Sequence, residues 1–168
     1  MIRRCCAGMP AALLLGFVLT TGTMAQDLPT DRIDAICGPI LDRMQELLAE
    51  GSPATVQEFF DSEAHAALIG DAEAYLYVVD MAGNGTLRAS SAFPEFVGTT
   101  DFNAIEDMNG YVMHAAMLRQ METGLRGYDG HNWPNPESGS VERWVGRAEW
   151  SAPDNSRYLA CWMPARML

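Results

Sequence analysis

The sequence predicts an α+β domain built on a five-stranded antiparallel sheet, carried behind a leader for export. Three observations support this reading. Two stretches of helical apolar spacing come first, and a β-rich run then turns on Gly83-Asn84-Gly85. After one more helical stretch, three β-like runs close the chain.

The leader, residues 1–25, has the three parts of a secretory signal. Arg3 and Arg4 supply positive charge, Ala11 to Leu19 form a short apolar run, and Thr23-Met24-Ala25 offers small residues for cleavage. A stable membrane helix needs roughly 20 apolar residues, which this run lacks. Cleavage, not anchoring, is therefore expected. Cys5 and Cys6 precede the apolar run, so they are not placed for lipidation. Residues 26–168 are expected to be one periplasmic or secreted domain that does not insert into the membrane.

The first helix is expected from Thr30-Asp31 to Gly51. Its stripe is Ile33, Ile36, Cys37, Ile40, Leu41, Met44, Leu47 and Leu48. Ser52-Pro53 then starts a second helix, with Pro at its first position, running to about Gly70-Asp71. Tyr75 to Val79 and Thr86 to Ser90 form a hairpin. Phe93 to Asn103, punctuated by Pro94 and Gly98, is irregular. Tyr111, Val112, Ala115, Met117, Leu118 and Met121 predict a helix over about 110–123. The last three strands are Tyr128 to Trp133, Val141 to Trp150 and Arg157 to Met163, with Pro153-Asp154-Asn155 turning between the final two.

The chain has 11 basic residues, all arginine, against 22 acidic ones, a formal charge of −11. Two of those arginines lie in the leader, so the remainder is more acidic still. Such a field disfavours nucleic acid and anionic lipid as partners. An anionic ligand would have to be caught by a local arginine. Cys37 and Cys161 remain after the leader, an even pair in an oxidising compartment, and are expected to form a disulfide; two buried free thiols are the alternative. Two distant cysteines and three scattered histidines lack metal-site spacing, and no cofactor motif is present.

The run from Tyr75 to Met163 resembles the small-molecule-sensing Cache domain in its single-module form. The likeness lies in the strand ending at Asp80 with Gly83-Asn84-Gly85, then Pro94-Glu95-Phe96-Val97-Gly98, Asp107-Met108-Asn109-Gly110, and the segment Gly127 to Pro136. Their order over about 90 residues is more specific than any one of them. The resemblance implies a PAS-like sheet, a long N-terminal helix packed on one face, and a small pocket on the other. It also implies an extracytoplasmic sensor that binds short organic acids or amino-acid-like ligands. The sequence has Ser90 where the family often shows His, and His131 where it often shows Tyr. The sequence shows no receptor-type membrane helices or signalling domains, and a free-standing binding protein is expected.

Arginine suits a carboxylate site because its planar fork gives paired donors and keeps its charge. Arg88 and Arg147 are the expected ligand clamps; the alternative for each is a solvent-facing arginine or a structural pair, with Asp80 or Glu149. Tyr75, Tyr77, His131 and Trp133 offer aromatic bodies with polar tips for pocket walls. His65 and His114 are expected to be ordinary helix residues. Asp129, His131 and Ser138 or Ser140 supply hydrolase residue types, but no nucleophile-elbow or oxyanion-hole sequence accompanies them, so no catalytic residue is expected. The expected function is recognition of a small carboxylate or other polar ligand, signalled to a membrane sensor kinase, chemoreceptor or transporter. The alternatives are an envelope protein-interaction module that lost its pocket and, third, a small hydrolase.

Overall fold

A computed structural model describes residues 28–151 and 155–168. The expected leader, residues 1–25, lies outside the described residues. Helix α1 (Thr30–Glu50) is followed by α2 (Pro53–Phe60) and α3 (Glu63–Ile69). The expected second helix is thus two. Its break falls at Ser62, whose Oγ accepts from His65 N to cap α3 while donating to Phe59 O of the turn before.

The hairpin is β1 (Tyr75–Asp80) and β2 (Thr86–Ser90), joined by a turn in which Gly83 and Gly85 have φ of 70° and 89°. A Cβ at Gly85 would also lie 2.6 Å from Asn103 Nδ2, so glycine is required there twice over. Two 3₁₀ turns (Pro94–Phe96 and Phe102–Ala104) cross the irregular segment. Helix α4 (Ala115–Met121) is shorter than its apolar spacing predicts. Asp107 Oδ1 accepts from the amides of Asn109 and Tyr111, and Glu106 bridges to Val112, which holds residues 106–112 in a loop and delays the helix.

Strands β3 (Arg126–Pro134), β4 (Val141–Trp150) and β5 (Arg157–Pro164) complete one antiparallel sheet in the order β2-β1-β5-β4-β3. Two cores divide along its faces. One packs α1 and α2 (Ile33, Cys37, Leu41, Met44, Val56) against Leu76, Val78, Leu159, Cys161 and Met163. The other gathers Tyr77, Val79, Leu87, Phe102, Met117, Trp144, Tyr158 and Trp162. The odd–even alternation of β5 decides the split, with Cys161 facing α1 and its neighbour Trp162 facing away.

Cys37 and Cys161 form a disulfide across 124 residues of chain, fastening α1 to the central strand. On the chain-entropy account such a loop adds roughly 4–5 kcal/mol. Beside it, Asp34 of α1 receives Arg147 Nη1 at 2.6 Å and the Tyr128 hydroxyl at 2.9 Å. Burial raises the Asp34 carboxyl, but these two hydrogen bonds and the charges of Arg147 and Arg126 outweigh it and hold the pKa below the usual value.

Candidate functional site

On the sheet face away from α1, the strands and the segment 90–114 enclose a cavity of about 380 Å³. Tyr75 and Tyr77 of β1, Leu87 and Ser90 of β2, His131 and Trp133 of β3, Trp144 of β4 and Trp162 of β5 form the floor; strand alternation sends them to this face, with the ladder irregularity between Leu87 and Ala89 resetting the parity in β2. Phe93, Phe96, Phe102, Ile105, Met113 and His114 form the roof. The walls are layered rings. Tyr75 stacks on Trp144 at 4.5 Å, His131 lies 4.4 Å from Trp162, and Phe102 stacks on His114 at 5.3 Å between centroids.

A polar thread runs through these rings. Trp162 Nε1 donates to the Tyr77 hydroxyl, which lies 2.6 Å from His114 Nε2. Indole can only donate, so the Tyr77 hydroxyl accepts from Trp162, while the direction of its bond with His114 Nε2 follows from which imidazole nitrogen carries the proton. Nδ1 of His114 and Nδ1 of His131 are both buried and have no hydrogen-bond partner among the described residues. An unmade hydrogen bond on a buried group costs about 1–3 kcal/mol. Burial, reinforced by the charge of His131, pushes the His114 pKa well below its ordinary value. Burial lowers His131 to about 4, with Asp107 opposing and Arg143 assisting. Both imidazoles are therefore neutral at physiological pH.

Four of the six expected ligand residues, Tyr75, Tyr77, His131 and Trp133, line the cavity together. The two arginines do not. Arg147 shares strand parity with Val145 and faces α1, where its buried head bridges Asp34 at 2.6 Å and Glu149 at 2.9 Å. Arg88 falls opposite the irregularity between Val78 and Val79, where one extra residue enters the ladder. Its side chain is 44% exposed and its Nε donates to Asp80 Oδ2 at 3.1 Å. The structural pairs with Glu149 and Asp80 thus replace the expected carboxylate clamp. No Arg, Lys, Asp or Glu lines the cavity among the described residues.

His114 corrects a second expectation. It is not an interior helix residue but the residue before α4, with φ of 69° and 1% exposure. His65 does sit in a helix, packed against Phe59 and Phe60. Trp144, Trp162, Phe93 and Phe102 were also not anticipated as wall residues. Parity with Tyr158 and Ala160 could have found Trp162, but the roof residues carry no periodic signal. Ser90 lines the cavity where the family often shows His, and its Oγ accepts from Phe93 N at 3.1 Å, tying the floor to the roof. The hydrolase residues stay apart. Ser138 and Ser140 bond to each other, Ser140 bonds to Glu142, and Asp129 accepts from the Tyr111 hydroxyl.

The family model described as single Cache domain 2 matches residues 36–153. Among solved structures, the periplasmic sensor domain of a chemotaxis protein aligns with a TM-score of 0.56 at 16% identity, covering 83% of this chain and 99% of that one. A Cache chemosensory domain, solved to show the structural basis for carboxylic acid recognition, aligns with a TM-score of 0.53 at 16% identity, covering 81% of this chain and 90% of that one. At this identity the likeness shows the fold. Comparison with the curated proteins gives no match.

Proposed function

This chain belongs to the single Cache domain 2 family, and from that premise we propose that it is an exported ligand sensor. It takes a small molecule into the aromatic cavity, and a membrane partner such as a sensor kinase, chemoreceptor or transporter reads the bound state. Cache domains are sensory ligand-binding modules, not enzymes. The observation that carries the proposal is the cavity itself, about 380 Å³ walled by rings on the face that α1 leaves free. Its size falls in the range of small-molecule sites, and its apolar walls with a few inward polar groups match their usual make-up.

Export is supported by the charged and apolar pattern of residues 1–25 and by the disulfide. Among the described residues no helix is long and apolar enough to cross a membrane. A route for the bound state also exists within the sheet. Trp162 touches the cavity, while the adjacent Cys161 is bonded to α1, so a shift of β5 on ligand binding would be passed to the helix covalently.

A thermal-shift screen of small organic acids, amides, alcohols and single-ring compounds tests the proposal. One or more compounds should raise the unfolding midpoint, because a ligand that binds only the folded state adds RT ln(1 + [L]/Kd). Absence of any shift across all classes would overturn it in favour of an envelope protein-interaction module.

A further inference from the structure

Among the described residues none that lines the cavity carries a fixed charge. Among the described residues every wall side chain is aliphatic, aromatic, hydroxyl-bearing, imidazole or, at Met113, a thioether. The arginines of the sheet strands beside it are engaged elsewhere. Arg88 is paired with Asp80 at the sheet edge, and Arg147 is paired with Asp34 and Glu149 beneath α1. Arg143 pairs with Asn132 in the β3–β4 ladder, so by alternation it faces away from His131. A carboxylate entering this space would give up its hydration with no counter-charge to receive it, which ordinary proteins avoid.

The shape of the walls points to the alternative. The rings of Tyr75, Trp144, Trp162 and Phe102 border a space more than twice the roughly 150 Å³ known to admit benzene in an apolar protein interior. Stacked and tilted ring pairs at 4.4 to 5.3 Å already show how such surfaces pack. Two imidazoles, His114 at 1% and His131 at 6% exposure, border the same space, and each has a buried Nδ1 without a partner among the described residues.

We propose, resting on the reading of this cavity as a ligand site, that its ligand is an uncharged ring-bearing molecule with a hydrogen-bonding group, held between the aromatic walls and addressed by His131. The site discriminates by charge. A neutral amide, alcohol or phenol keeps its dispersion contacts and loses little hydration, whereas the matching carboxylate loses its solvent shell and gains no ion pair. Ring-bearing compounds outrank aliphatic ones of equal polarity because a ring gains edge-to-face and offset contacts with the aromatic walls.

The test uses matched probes on the exported protein at pH 7.5: benzamide against benzoate, benzyl alcohol against benzoate, and acetamide against acetate. Calorimetric titration and thermal shift are expected to show the neutral ring compounds binding at least tenfold more tightly than benzoate, and acetamide weaker than benzamide. A His131→Phe variant keeps a ring in the wall and removes its nitrogens. It should weaken benzamide at least tenfold while toluene binding changes by less than threefold, a split that a general loss of folding would not give. Preference for benzoate or acetate over their neutral partners would overturn the inference and leave the sensor proposal standing. A response to none of the probes, in a protein that the wider screen also fails to shift, would remove both. Equal loss of benzamide and toluene in His131→Phe would contradict the role given to the imidazole.

Discussion

Replacing Arg147 with alanine separates a structural arginine from a ligand clamp. Its side chain is 2% exposed and spans Asp34 of α1 and Glu149 of β4, at 2.6 and 2.9 Å. Removal leaves the Glu149 carboxylate, itself 11% exposed, with Arg126 at 3.7 Å as its remaining cation among the described residues, and takes from Asp34 its shortest contact. Breaking one side of a buried ion pair costs about 3–5 kcal/mol, because the orphaned charge stays desolvated. For a domain of this size that corresponds to a fall of about 10–15 °C in the thermal midpoint. Arg88→Ala removes a half-exposed pair with Asp80 and is expected to cost under about 1 kcal/mol. Urea and thermal unfolding of both variants, with and without a bound probe, supply the readout. The ligand-induced shift should survive in both. A stable Arg147→Ala protein that no longer responds to ligand would refute the placement of Arg147 outside the site.

Two further outcomes follow from the cavity's polar thread. The folded pKa of His131 is depressed to about 4 and that of His114 lies well below its ordinary value, so below pH 6.5 the unfolded chain binds protons that the folded chain refuses. Stability is therefore full above about pH 6.5 and is lost as pH falls toward 4, at about 1.4 kcal/mol per unit for His131 alone; a urea midpoint that stays flat from pH 7.5 to 4.5 would contradict this. Tyr77→Phe strips the partner from Trp162 Nε1 and His114 Nε2 together. It should cost about 1–3 kcal/mol for each orphaned group in chemical denaturation, and a loss under about 0.5 kcal/mol would show that the thread is not formed.

The strands were legible because their signals are local. Tyr75 to Val79 and Val141 to Trp150 are β-rich runs between turn residues, and Gly83 with Gly85 supplies the positive φ that the hairpin needs. The disulfide was legible because Cys37 and Cys161 are the even pair left after the leader in a chain read as exported. What failed is what depends on more than one element. Arg88 lies near Ser90 in sequence, but the ladder irregularity opposite Val78 and Val79 turns it to the edge. Arg147 could have been placed by counting from Val145, yet its partner Asp34 lies 113 residues away on a helix. His114 shares helical spacing with Met117 and Leu118, but the amide-binding turn at Asp107, the Glu106–Val112 bridge and the bond from Met113 N to Ile105 O hold the preceding residues out of the helix, and His114 itself has φ of 69°. The roof of the cavity is set by long-range packing of an irregular segment, for which sequence offers no period.

The account turns on where a ligand lies, and the chain carries its own reporters. Of its four tryptophans, Trp133, Trp144 and Trp162 line the cavity, whereas Trp150 donates its indole proton to Met121 O outside it. Indole ¹⁵N–¹H resonances followed during titration with a stabilising compound are predicted to move for Trp133, Trp144 and Trp162 while Trp150 stays in place. Movement of Trp150 alone, or stabilisation with the other three unmoved, would contradict a binding site between the sheet and its aromatic roof.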